Sequence, residues 1–180
     1  MKFFEHLKTI NHHKWLVMKY CFRIGLYKQG LLHDLSKYTW TEFRIGMKYF
    51  QGTCSPNNAE RKTLGYSTAW LHHKGRNKHH YEYWIDYSDQ PDKVLTGAPM
   101  PIVYILEMFC DRIAASKVYA GNDYTNRHPY DYFCRGQEHY TMHPQTKLLL
   151  GKLLWCLAEK GEKKALTYAR SLYKSHRSIY

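Results

Sequence analysis

The spacing of its apolar residues restricts this chain more than any other feature. From about Asn11 to Gln29, His13, Val17, Tyr20, Ile24 and Tyr27 recur at steps of three and four. That period lines side chains along one face of a helix. Asn11 suits the N-cap of this helix and Gly30 its C-terminal stop. Similar punctuation predicts a helix over about Trp40 to Phe50 that closes at Gly52, then a loop at TCSPNN and a helix from Ala59 to about Lys74. Pro101 fits the first turn, and Gly121 the end, of a helix apolar on most sides, which suits a central position. Two further helices are expected, over about Pro144 to Lys160 and Glu162 to His176, split at Gly161. The stretch from Asn77 to Gly97 reads as irregular, and Asn122 to Met142 as a long loop or short helical turns. No period-two stretch is bounded by hairpin turns, so the expected fold class is all-α.

A chain of 180 residues that is 44% hydrophobic is long enough for one well-buried core. It has no repeat or linker that would divide it. A single-domain helical bundle over residues 1–180 is therefore expected, and 23% charged residues argue against disorder. The five Cys are scattered, without C-x-x-C spacing. They fit buried thiols in a reducing cytoplasm rather than a disulfide scaffold. The opening MKFFEHLKTINHHKW lacks the apolar core of a signal peptide. No segment has the length of uncharged apolar sequence that a membrane span needs. A cytoplasmic protein without a membrane partner is the expectation. The net charge of +12 favours anionic partners, such as phosphorylated metabolites, nucleotides or nucleic acid bound through a basic surface. A solvated basic surface without a partner is the plainer alternative.

Candidate ligands follow in chain order as His13, His33-Asp34, His72-His73, His79-His80 and Asp111. Each falls in or beside a helix-like apolar segment. A carboxylate such as Asp111 within an apolar helix is costly to bury unless it is paired or ligates a metal. Taken singly, these residues have ordinary readings: His13 as a core or surface histidine, Asp34 as a helix cap, Asp111 as half of a buried ion pair, Lys37 as a surface residue. Their order on successive helices is what joins them.

That ordered set, with "LLHDLSK" and its Lys after the Asp, resembles the signature of the HD-domain superfamily of metal-dependent phosphohydrolases. The intervening His pairs are similar to the extended arrangement of dinuclear members, which include cyclic-dinucleotide phosphodiesterases and the inositol-oxygenase branch. More narrowly, "WLHHKGRNKHHYEYW" and "MP…EMFCDRIAAS" look like a small bacterial and phage family of unassigned function. The resemblance covers about residues 10–120 and leaves the C-terminal helices, about 144–176, without a transferable motif. It implies that His13, His33, Asp34 and Asp111 bind one metal. Asp34 would bridge to a second metal held by one His of each later pair, with His73 and His80 favoured. His12, His72 and His79 compete within their pairs.

Imidazole and carboxylate ligands suit divalent Mn, Fe, Co, Ni or Zn, one or two ions. The absence of Cys ligands argues against a purely structural zinc. Such ions activate water and polarise a phosphoryl oxygen, so Asp34 counts as catalytic as well as ligating. Lys37, Arg76 and Lys117 are candidate phosphate-binding cations. Tyr81, Tyr83 and Trp84 can stack on a base or simply pack in the core. The expected function is a metal-dependent hydrolase of a small phosphoester. A di-iron oxygenase of the inositol-oxygenase type and a non-catalytic metal- or anion-binding protein are the alternatives.

Overall fold

The computed structural model describes residues 2–177. Its first helix, α1, spans Lys2–Ile24 and starts well before Asn11. His6 and Ile10 extend the stripe of His13, Val17, Tyr20 and Ile24, and all six are buried, so packing continues the helix through the position expected to cap it. The stripe ends at Ile24 because Gly25 turns the backbone to φ +94°, a conformation that costs glycine little. Beyond this break Tyr27 is exposed, contrary to its expected place on the inward face. Helix α2, Tyr27–Leu32, then runs back along α1. Gly30 sits inside it rather than at its end. A Cβ on Gly30 would lie 3.0 Å from the Cβ of Cys21, so the glycine permits the close crossing of α1 and α2.

A 3-10 turn at Leu35–Tyr38 leads to α3, Trp40–Tyr49. The single helix expected from Ala59 is two, α4 (Pro56–Leu64) and α5 (Thr68–Lys74), divided by a positive-φ Gly65. After a second 3-10 turn at Tyr81–Trp84, a hairpin pairs β1 (Ile85–Tyr87) with β2 (Leu95–Gly97) antiparallel, Asp86 opposite Thr96. No strand was expected, and three-residue strands are too short to display an alternating pattern. Helix α6 spans Ile102–Ala120, and α7, His128–Gly136, occupies the expected loop region. Helix α8, Pro144–Arg177, bends at Gly161 as the sequence predicts. The fold is all-α apart from this small hairpin. Among the described residues no helix is long and apolar enough to cross a membrane.

Helices α1, α6 and α8 pack against one another around Val17, Ile24, Leu106, Phe109, Ile113, Leu153 and Leu157, all essentially inaccessible to water. Helices α3, α4 and α5 form a second group that meets α1 through α3. The approach is close: a Cβ on Gly46 of α3 would fall 2.2 Å from His6 Nε2. The catalytic candidates lie where the two groups meet.

At the far end of the core, Glu162 ties the three central helices together. Its carboxylate accepts from Tyr20 Oη of α1 at 2.9 Å, Arg23 of α1 at 2.6 Å and Lys117 of α6 at 2.8 Å. Burial alone would raise its pKa, but these donors more than offset that and hold it below the ordinary carboxylate value. A depressed folded pKa gives stability that is present above the unfolded value of about 4.3 and lost as pH falls through the folded one. Glu162→Gln should therefore cost about 1 kcal/mol at neutral pH, discounted for partial exposure. Chemical denaturation should show that difference shrinking between neutral pH and pH values below the unfolded carboxylate pKa.

Candidate metal centre

The doublet His33-Asp34 lies at the junction of α2 and the following 3-10 turn. His33 is extended at φ −51°, ψ 128°, and Asp34 is left-handed at φ 53°, ψ 27°. Asp34 is the only non-glycine with positive φ among the described residues. Asp tolerates this region better than most side chains. In a continuous helix neighbouring side chains diverge, whereas this reversal turns both inward, each 2% exposed. Lys14 of α1 fixes the turn by donating Nζ to the carbonyls of Leu31 and His33, both at 2.8 Å. Asp34 makes no capping hydrogen bond, so its ordinary reading as a helix cap does not hold.

Two groups of side chains converge on the two oxygens of Asp34. Towards Oδ2 come His13 Nε2 of α1 at 3.6 Å and His33 Nε2 at 3.2 Å. Asp111 of α6 completes this group, its Oδ1 3.0 Å from His13 Nε2 and 3.8 Å from His33 Nε2. Towards Oδ1 come His73 Nε2, at the end of α5, at 3.3 Å and His79 Nε2 at 3.4 Å. His80 joins them, its Nε2 2.9 Å from that of His73. Within each group the ligand-type atoms all lie within 4.8 Å of one another.

The buried atoms themselves test whether this arrangement fits a cation. His13 Nε2, His33 Nε2, Asp34 Oδ1 and His79 Nε2 are buried without a hydrogen-bond partner, an arrangement that proteins otherwise avoid. All four point into the two groups. Nitrogen and carboxylate donors with no sulfur suit a divalent transition ion, and the residues fit one ion per group.

A second layer of carboxylates fixes which imidazole nitrogen faces inward. Glu107, one turn before Asp111 on α6, accepts from Nδ1 of His33 at 2.9 Å and of His79 at 3.2 Å. Glu42 of α3 accepts from Nδ1 of His73 at 2.8 Å and of His72 at 2.7 Å. Ser36 Oγ and the Asn77 amide also approach His73 Nδ1. Each Nδ1–H held this way leaves the Nε2 lone pair free for a metal. Lys37 Nζ rests on Asp34 Oδ2 while part of its side chain reaches solvent.

The electrostatics without a cation follow from this crowding. Burial pushes the His33 pKa down, but Asp34, Glu107 and Asp111 more than reverse it and raise the value to about 10. Burial likewise raises Asp34, yet His33, Lys37 and His73 hold its carboxyl well below the usual range. Asp111 is held down in the same way, mainly by His13. Burial, reinforced by the neighbouring His79 and His73, keeps His80 neutral.

The structure brings together His13, His33, Asp34, His73, His80 and Asp111. His12 is exposed and His72 only backs Glu42, so His13 and His73 face the cluster in their pairs. In the third pair both His79 and His80 contribute, where one was expected. Arg76 is exposed and donates to the carbonyl of His72 at 3.3 Å. Its side chain is spent at the end of α5 instead of facing the cluster, a correction to its expected catalytic role. Lys117 is engaged with Glu162. Tyr81 packs on Tyr140 and Trp84 on Tyr104. Glu107, Glu42 and Lys14 were not anticipated. Only Glu107 had a visible signal, lying four residues before Asp111 on the same helical face.

Residues 2–155 match the sequence profile of DUF5662, a family of unknown function. No curated protein and no solved structure matches the chain.

Added Mn, Co or Zn should raise the thermal midpoint of the metal-free protein, each bound ion adding about 2.7 kcal/mol of stability at a hundredfold excess over its Kd. Because Asp34, Glu107 and Asp111 favour the protonated form of His33, uptake should release protons and tighten as pH rises from 6 to about 8. Asp34→Ala should abolish the shift and His12→Ala should leave it unchanged. Calorimetric titration in buffers of different ionisation enthalpy counts the protons.

Proposed function

We propose that this chain, which belongs to the DUF5662 family, is a metal-dependent hydrolase of the HD type acting on a small phosphoester. The observation that carries this reading is Asp34, whose two oxygens face two separate groups of nitrogen and carboxylate donors. A single carboxylate shared this way is what a two-ion site requires. Divalent ions held there would supply a water of lowered pKa and polarise a phosphoryl oxygen. His13, His33 and Asp111 would hold one, His73, His79 and His80 the other, with Asp34 between them.

The remaining residues support a phosphorylated substrate. Among the described residues, Lys37 is the only ammonium group in contact with the shared carboxylate. Burial disfavours its charge, but Asp34 and Asp111 raise its pKa further, so it stays cationic. It fits a point charge that holds a phosphoryl oxygen beside the ions. Asp111, 15% exposed, marks with Lys37 the side open to substrate. Glu42 and Glu107 keep the ligating rings fixed while substrate exchanges. The net charge of +12 draws anions towards the molecule. Five free cysteines accord with a reducing compartment, and we read the protein as cytoplasmic.

Phosphomonoesters and phosphodiesters assayed with a series of divalent ions should reveal metal-dependent turnover that Asp34→Ala abolishes. Lys37→Met should raise KM or lower kcat/KM by about ten- to a hundredfold, the value of one hydrogen bond from a charged group. No turnover with any ion overturns the proposal. Activity seen only with iron and dioxygen replaces hydrolysis with oxygenase chemistry.

A further inference from the structure

We infer that Glu107 is a positioning residue that ties the two ligand groups together, so that filling one orients a ligand of the other. This inference rests on the two-ion reading above. One oxygen, Oε1, lies 2.9 Å from His33 Nδ1 and 3.2 Å from His79 Nδ1. The same two imidazoles turn Nε2 to different oxygens of Asp34, His33 to Oδ2 at 3.2 Å and His79 to Oδ1 at 3.4 Å. His33 belongs to the first ligand group and His79 to the second.

The four side chains close a ring. Glu107 stands behind, Asp34 in front, and the two imidazoles run between them with centroids 4.4 Å apart. Because both Nδ1–H groups share one acceptor oxygen, a rotation of either ring towards its ion shifts the acceptor of the other. Glu107 is 5% exposed and sits mid-helix on α6, so water does not readily take its place. Glu42 is a natural contrast. It is equally buried, but of the two rings it holds only His73 belongs to a ligand group. Glu42 therefore orients one site, whereas Glu107 spans both. Coupling of this kind needs no conformational change beyond small ring rotations, because one carboxylate oxygen backs both rings.

Zinc titration of the whole chain, followed by calorimetry and by nitrogen-15 NMR of the histidine rings, tests the inference. In the wild type, zinc binding at the first step should shift the Nδ1–H resonances of both His33 and His79. Glu107→Gln should weaken both binding steps by about 10- to 100-fold and disturb the tautomers of both rings. Glu42→Gln should weaken one step and leave His33 and His79 unmoved. If His33 and His79 each respond only to a separate binding step, or Glu107→Gln weakens a single step, the inference is overturned while the two-ion site stands. A wild type that binds fewer than two zinc ions overturns the two-ion reading itself. Should Glu107→Gln fail to fold by circular dichroism, the wild-type resonances decide alone.

Discussion

The structure is organised around the left-handed turn at Asp34. A buried carboxylate is tolerated only where donors or cations converge on it. Here α1 provides His13, α5 provides His73, the loop after it His79 and His80, and the 3-10 turn Lys37. Helix α1, the turn around Asp34 and the segment from α5 to His80 are far apart in sequence, and the fold brings them together at this carboxylate. The reversal at residue 34 makes this possible, because an Asp in helical geometry would project on one side only. The apolar contacts of α1, α6 and α8 hold the framework, and the polar cluster sits at its edge where it does not interrupt that core.

The cluster lies across the boundary between two groups of helices. His13, Glu107 and Asp111 stand on the long central helices α1 and α6, which pack against each other in the core. His73 and Glu42 stand on the shorter α5 and α3, and His79 and His80 on a loop. Cations bound across this boundary would crosslink the two groups, and the unpaired buried nitrogens are the strain that binding would relieve. Stability is given up locally for a site, a balance common to functional centres.

Much of this was legible in the sequence and some was not, for identifiable reasons. The inward stripe of α1 was readable because every member obeys one period, and it failed only at Tyr27, where Gly25 resets the phase. Gly30 looked like a stop because a glycine's need for close packing and its need for positive φ leave the same mark. His33, Asp34 and Asp111 were recognisable from their order. The choice between His79 and His80 was not, since a turn after α5 aims both adjacent rings inward and adjacency normally implies opposite directions. Glu42 acts through histidines distant in sequence, and no local pattern records such a pairing, whereas Glu107 at least shared a helical face with Asp111. Arg76 was misleading because proximity in sequence to two ligand pairs does not fix the direction of a long, exposed side chain.

Charge offers the strongest link between the cluster and an anionic substrate. Four carboxylates, Asp34, Asp111, Glu42 and Glu107, gather around the site against the ammonium groups of Lys14 and Lys37. Without ions, that excess of negative charge draws protons onto His33 and His73 and would repel a phosphate. Two divalent ions would displace those protons and reverse the sign of the site, while Lys37 would find its partner Asp34 engaged by stronger cations and turn to an incoming anion. The same residues would thus select cations first and phosphates second. Lys37, placed on the shared carboxylate, is thus the residue on which the proposed preference for a phosphorylated over a neutral substrate rests.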